Sequence, residues 1–171
     1  RQDEKLSVLS HLIEKEKPSL AIVFCGTRRM TNVVDRYLRE NDVDSKAIHG
    51  GITQPQRLHV LEGFRKGRPH ILVATDVAAR GLDIQDVSHI FNYDIPKNAD
   101  DYTHRIGRTA RFGKTGKSIS LLSSQDHPAF RSIIRHIEIE KGRLDFKPQI
   151  VRMQREHREH RQEHRRYGRR Y

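Results

Sequence analysis

The chain has 171 residues, and 33 Lys and Arg against 22 Asp and Glu leave a formal charge of +11 at pH 7; the length suits one domain, and the charge points to an anionic partner, nucleic acid foremost. Apolar residues make up 35% of the sequence, but runs such as Leu20–Phe24 and Ile71–Ala74 have core-strand composition, which excludes wholesale disorder. No apolar stretch approaches the roughly 18–20 residues of a membrane-spanning helix and Arg1–Lys5 is no signal peptide, so a soluble, cytoplasmic chain with no membrane partner is expected.

In chain order, an opening helix with Leu6, Leu9, Leu12 and Ile13 inward should end before Pro18. A strand at about Leu20–Phe24 follows. Beside it stands the single cysteine, Cys25, which permits no internal disulfide or multi-cysteine zinc site and reads as a buried, inert thiol. Thr27 suits the N-cap of a helix in which Met30, Val33, Val34, Tyr37 and Leu38 recur at helical spacing. After a strand at about Lys46–His49, Thr53 and Gln56 fit a capping box and Pro55 sits in the first turn. In that helix Leu58, Leu61 and Phe64 are expected to form the buried stripe, and Gly67 to end it. Further strands are expected at about His70–Ala74, Val87–Tyr93 and Lys117–Leu122. A last helix should start near Ser124, bury Phe130, Ile133, Ile134 and Ile137, and stop by Gly142. Strands alternating with helices predict an α/β fold, a parallel sheet covered on both faces. Residues 1–150 are read as this domain and 151–171 as a basic tail, whose eight arginines and three glutamates carry a net +5.

In open parallel sheets, ligands bind beyond the carboxyl ends of the strands. Gly26-Thr27, His49-Gly-Gly51, Thr75-Asp76 and the segment from Asp94 onward all stand there. The densest signal is His104-Arg-Ile-Gly-Arg-Thr-Ala-Arg111. If the octamer is helical, His104, Arg108 and Arg111 share one face within about 60°. Guanidinium groups suit phosphate because they are planar, permanently charged and donate paired hydrogen bonds; a solvated basic helix is the bland alternative. In Ala74-Thr-Asp-Val-Ala-Ala-Arg-Gly-Leu-Asp-Ile84, Thr75 is cap-capable and Gly81 is expected to end a short helix. Asp83 is placed to bind a ribose hydroxyl, with the Thr75 hydroxyl and nearby amides holding a phosphate. Taken singly, Thr75 reads equally as an ordinary cap and Asp83 as a turn residue.

Together these segments carry a resemblance. From about Asp3 to Leu144 the chain resembles the second RecA-like domain of DEAD-box ATP-dependent RNA helicases. Ile22-Val-Phe-Cys-Gly-Thr27 is similar to motif IV, Gln54-Pro-Gln-Arg57 to the glutamine-x-x-arginine element, Ala79-Arg-Gly-Leu-Asp83 to motif V and His104–Arg111 to motif VI. The resemblance implies a three-layer RecA-like sheet. It further implies Arg108 and Arg111 as arginine fingers on the ATP γ-phosphate, and Asp83, beside Gly81, on the ribose. Thr27, Gln54, Arg57 and Thr75 would face the RNA sugar-phosphate backbone, and Arg80 and His104 would link two domains. Two positions depart from the family pattern: Gly26 stands where asparagine is common and Ala110 where glycine is common.

The sequence contains no phosphate-cradling Gly-x-x-x-x-Gly-Lys-Ser/Thr loop and no Asp-Glu-Ala-Asp segment for magnesium. ATP and Mg2+ are therefore expected to be held mainly by an N-terminal RecA-like domain of the same protein, and this piece alone is expected not to hydrolyse ATP. The opening on Arg1 rather than methionine agrees with a cut piece. The alternatives are a stand-alone, non-enzymatic RNA-binding or annealing module, and the same motor half acting on DNA. The tail is read as a solvated arm that adds RNA affinity, with its histidines at 157, 160 and 164 solvated rather than zinc-bound.

Overall fold

The five apolar runs become β1 (Ala21–Cys25), β2 (Ser45–Ile48), β3 (Ile71–Thr75), β4 (His89–Asn92) and β5 (Lys117–Ser120). In the computed structural model, which describes residues 1–80, 82, 84, 86–109, 116–136 and 146–151, they form one sheet in the order β2-β3-β1-β4-β5. Every pairing is parallel, with Val23 of β1 opposite Val73 on one side and Phe91 on the other. β1 and β3 are buried along their whole length, as strands covered on both faces must be. The chain leaves β1 toward β2 and returns through β3, then crosses to β4. The crevice above β1 is therefore the topological switch point of an open parallel sheet.

Successive strand residues point to opposite faces, which divides the core in two. Val23, Cys25, Val73, Phe91 and Tyr93 pack with Leu6, Leu9 and Ile13 of α1 (Lys5–Glu16) and Val34 and Leu38 of α2 (Arg28–Glu40). Ile22, Phe24, Leu72 and Ile90 pack with Leu61 and Phe64 of α3 (Gln54–Arg65). α4 (Asp76–Ala79) directly follows β3, while α5 (Ala99–Ile106) and α6 (His127–Ile133) enclose a smaller cluster of Tyr102, Phe130 and Ile133. Cys25 is fully buried, and burial pushes its thiol pKa well up, which fits an inert thiol. Among the described residues no helix is long and apolar enough to cross a membrane.

The local signals act as expected at most boundaries. α1 ends at Glu16, ahead of Pro18, through a left-handed Lys17. Thr27 caps α2 by accepting from the Met30 amide at 3.1 Å. Thr53 and Gln56 form the capping box of α3, and Gly67 follows it with φ of 83°. Three expectations are corrected. Leu58 is 52% exposed: at 100° per residue the inward arc of α3 is centred on residues 57, 60, 61 and 64, and Leu58 falls about 60° outside it. Val87 lies outside β4 and makes an isolated bridge to Thr109. α6 begins at His127, after a Ser123–Asp126 turn, and Ile134 already belongs to a 3-10 turn. Ile137 and Gly142 lie outside the described residues, as do 152–171 of the tail.

Two contacts hold α1 at the rim formed by the strands' carboxyl ends. Residues 146–151 return to it, with the Val151 amide donating to the Asp3 carbonyl at 2.9 Å and the Gln149 amide to Ser7 Oγ at 3.0 Å. The buried Lys5 ammonium donates to the Tyr93 carbonyl at 3.0 Å and to Asp126 at 2.7 Å. Burial acts to raise the Asp126 pKa. The bonds from Lys5 and from the Ser123 amide and hydroxyl outweigh it, and the carboxyl stays below its ordinary value. A lowered folded pKa gives stability that is complete above the unfolded value, about 3.9, and is lost as pH falls through the folded one. Asp126→Asn is expected to cost about 2 kcal/mol at neutral pH. In urea unfolding across a pH series, the gap from wild type should close below about pH 4.

Candidate functional site

The switch-point crevice is filled by a guanidinium. Arg105, on α5, is 2% exposed. Its Nε and Nη2 donate to the two Asp76 carboxylate oxygens at 2.6 and 2.7 Å, a bidentate pair. Its Nη1 donates to Asn92 Oδ1 at 2.9 Å and to the Asp94 carbonyl at 2.7 Å. The group also lies over the Phe24 ring, 4.7 Å from its centroid. Four of its five donors are thus used, which is what a buried cation requires. Asn92 passes the network to β5 through Ser120 at 3.1 Å, and Asp94 accepts from the Gly26 amide at 2.8 Å. The ends of β1, β3 and β4 are thereby tied to α5.

On the outer side of α5, Arg80, Asn98, Asp100, Asp101, His104 and Arg108 line an open depression of about 550 Å³. The structure brings His104 and Arg108 together, but not by helical periodicity. α5 ends at Ile106 with Gly107 as its C-cap, and Arg108 stands in the following turn. Its Nη1 donates to the Leu82 carbonyl at 2.9 Å, and the Thr109 hydroxyl donates to the Val87 carbonyl at 2.5 Å, pinning that turn. Arg80 is extended and pairs with Asp101. The short helix that Gly81 is expected to end has Ala79 as its last residue and Arg80 as its C-cap, just ahead of position 81. Gly81, Asp83, Ala110 and Arg111 lie outside the described residues.

The other half of the rim stands over β1, β2 and β3. Thr27 and Gln54 are exposed at the starts of α2 and α3. Arg57 is half-buried, and its Nη2 donates to the Ala78 carbonyl at 2.6 Å, joining α3 to α4. Thr75 is buried and its hydroxyl accepts from the Ala78 amide at 3.4 Å, so its cap role is realised. His49 accepts from the Gly51 amide on Nδ1 at 3.0 Å, which leaves Nε2 protonated to donate to Asn32 Oδ1 at 2.9 Å. Burial first, and then the nearby Arg28 charge, lower its pKa and hold it neutral. At Gly26 an added Cβ would meet Asp94 at an ordinary 3.5 Å, so packing there does not demand glycine.

Comparison with known proteins agrees with this geometry. Residues 4–113 match the family described as helicase conserved C-terminal domain. The ATP-dependent RNA helicase CshA of Listeria monocytogenes is 46% identical over 125 residues, 73% of this chain and 24% of CshA. The crystal structure of the E. coli DEAD-box protein SrmB bound to regulator of ribonuclease activity A superposes with a TM-score of 0.76 at 40% identity, covering 81% of each chain. S. cerevisiae Dbp5 bound to RNA and ADP BeF3 gives a TM-score of 0.72 at 32% identity, over 79% of this chain and 36% of that one. The fold and the rim define a RecA-like helicase C-terminal domain. The chain belongs to the helicase C-terminal domain family, in its DEAD-box branch, and spans between 24% and 37% of the length of the curated relatives it matches.

Sequence reasoning places Asp76 and Asp94 at the strand ends without giving them a role, and passes over Arg105 and Asn92. A signal is nonetheless present: with His104 outward on a helix, Arg105 turns about 100° toward the sheet, and a buried arginine needs a carboxylate such as the one that follows β3. Removing one partner of such a pair leaves the other charge uncompensated. Arg105→Met is expected to destabilise by about 3–5 kcal/mol in urea unfolding. Adding Asp76→Asn should recover part of that loss, the signature of direct coupling.

Proposed function

We propose that this domain is the second half of an ATP-dependent RNA helicase, completing the ATPase site with Arg108 and Arg111 while its other rim half grips the RNA backbone. The observation that carries the reading is the depression shared by His104, Arg108 and Arg80, joined to the elements of Thr27, Arg57 and Thr75 by the buried Arg105–Asp76 pair.

The donors fit a nucleotide phosphate. Arg108 is anchored at one nitrogen by the Leu82 carbonyl, which orients the rest of its planar fork, and His104 stands beside it. In this reading Arg108 and Arg111 would hold the γ-phosphate, Asp83 beside Gly81 the ribose, and Arg80 and His104 would meet the facing domain. ATP supplies the phosphoryl group whose transfer drives the cycle. Among the described residues no cluster of three or more His, Cys, Asp or Glu side chains converges on a metal site, and Mg2+ is assigned to the N-terminal RecA-like domain. The chain's arginines supply positive charge only when the two halves close, so closure gates catalysis.

RNA is gripped by Thr27, Gln54, Arg57 and Thr75 through phosphates and sugars. Such contacts read shape and 2′-hydroxyls rather than sequence. RNA and nucleotide both favour the closed form, and the tail adds sequence-independent affinity. That the relative Dbp5 has a structure with RNA and ADP BeF3 supports the assignment of both ligands.

In the full-length protein, Arg111→Ala and Arg108→Ala should each lower RNA-stimulated ATP turnover by about 10³. Near-normal turnover would contradict the finger role. This segment alone should be inactive. Stimulation by DNA as strong as by RNA would move the assignment to a DNA motor, and a full-length protein without ATPase would leave an RNA-binding module. Deleting residues 152–171 should weaken RNA binding and flatten its salt dependence, by about 0.7 in slope for each phosphate the tail neutralises.

A further inference from the structure

α1 begins without the usual cap. Glu4 stands at its N-cap in helical backbone conformation and makes no side-chain cap bond, and the first turn holds no acidic residue. A helix end left in that condition frays. Here the first turn is fastened from outside, on opposite flanks, since Lys5 and Ser7 lie about 160° apart round the helix. On one flank the buried Lys5 ammonium reaches the Tyr93 carbonyl and Asp126. Along the other, residues 146–151 run back over the helix, antiparallel to it.

Phe146 stacks on His11, with ring centroids 3.9 Å apart and planes 17° from parallel. Nearer the helix start, the Gln149 amide donates to Ser7 Oγ at 3.0 Å, and the Ser7 hydroxyl proton faces the Glu4 and Gln149 carbonyls, each at 3.0 Å. The Val151 amide then donates to the Asp3 carbonyl at 2.9 Å, and the Val151 side chain packs against the core cluster of Leu6 and Leu9. Residues 3, 7 and 11 recur one turn apart and share a face. Pro148 presets the path, because it fixes its own φ and drives Lys147 to extended backbone. Between residues 3 and 11 a helix rises about 12 Å, a span that residues 146–151 cover at about 3.1 Å each with little slack. The last fastening falls on Asp3, ahead of α1 itself.

We propose that residues 146–151 form a hinge stop: strapped along the 3-7-11 stripe, they keep the start of this domain rigid and confine motion between the two RecA-like domains to the chain before Asp3. This rests on the two-domain reading above and adds to it a segment beyond Leu144, where the family resemblance ends. A frayed α1 would lengthen the flexible connection to the facing domain. A longer connection lowers the effective concentration of one half at the other. The strap therefore favours closure without touching RNA or nucleotide.

The test compares two versions of the full-length protein, one ended after Val151 and one ended after residue 145; only the second lacks the strap. RNA affinity is titrated with and without a non-hydrolysable ATP analogue, and amide hydrogen exchange is followed by mass spectrometry. Losing the strap should cut the gain in RNA affinity given by the analogue about threefold, the cost of doubling a flexible connection. Nucleotide-free RNA affinity should not change. Exchange in residues 2–8 should quicken while α2 and α3 stay protected. Gln149→Pro, which removes one strap amide and no core side chain, should shift gain and exchange in the same directions, and it carries the test if the shorter chain melts early. An equal gain with and without the strap overturns the proposal, as does unchanged exchange in residues 2–8. A gain absent even from the protein ended after Val151 would instead count against the two-domain reading itself.

Discussion

The arrangement of this domain depends on one buried cation. Arg105 sits where the strand order reverses, and it satisfies its donors on the element after β3, the end of β4 and the segment beyond it. A guanidinium withdrawn from water needs an opposite charge and fixed acceptors, and Asp76, Asn92 and Asp94 supply them. Because Asp76 opens α4 and Arg105 belongs to α5, the two segments richest in chemistry cannot move independently.

That linkage divides the rim into two working halves. Over β4 and α5 an open depression brings Arg80, His104 and Arg108 together with Asn98, Asp100 and Asp101. Over β1, β2 and β3 the exposed groups stand at the starts of α2 and α3, where Arg57 bridges to the backbone of α4. α4 is thus touched from both sides, by Arg57 at Ala78 and by Arg105 at Asp76. A displacement of either neighbour is felt by the other, and under the proposed function this linkage would couple RNA to nucleotide.

Much of this is legible in the sequence, because local rules and tertiary demands agree. The five strands, the Thr27 cap, the Thr53–Gln56 capping box and the Gly67 stop each follow from residue chemistry acting over a few positions. The failures have equally local causes. Leu58 is apolar but lies beyond the buried arc of α3, which only the helix's orientation on the sheet decides. Helical spacing puts Arg108 on a helix that Gly107 ends one residue earlier; its nearness to His104 comes from the turn held by Leu82 and Val87. Arg105 stays hidden because a buried arginine and an exposed one look alike until the partner carboxylate, 29 positions earlier in sequence, is seen beside it.

The most direct test of the account is the thermodynamic coupling between the two rim halves. RNA affinity of the full-length protein is measured with and without a non-hydrolysable ATP analogue. Wild type should bind RNA about 5–150-fold more tightly with the analogue, the usual span of a coupling free energy. Arg108→Ala should abolish that gain and leave nucleotide-free RNA affinity unchanged. A gain that persists undiminished in the variant would contradict the composite pocket on which the account is built.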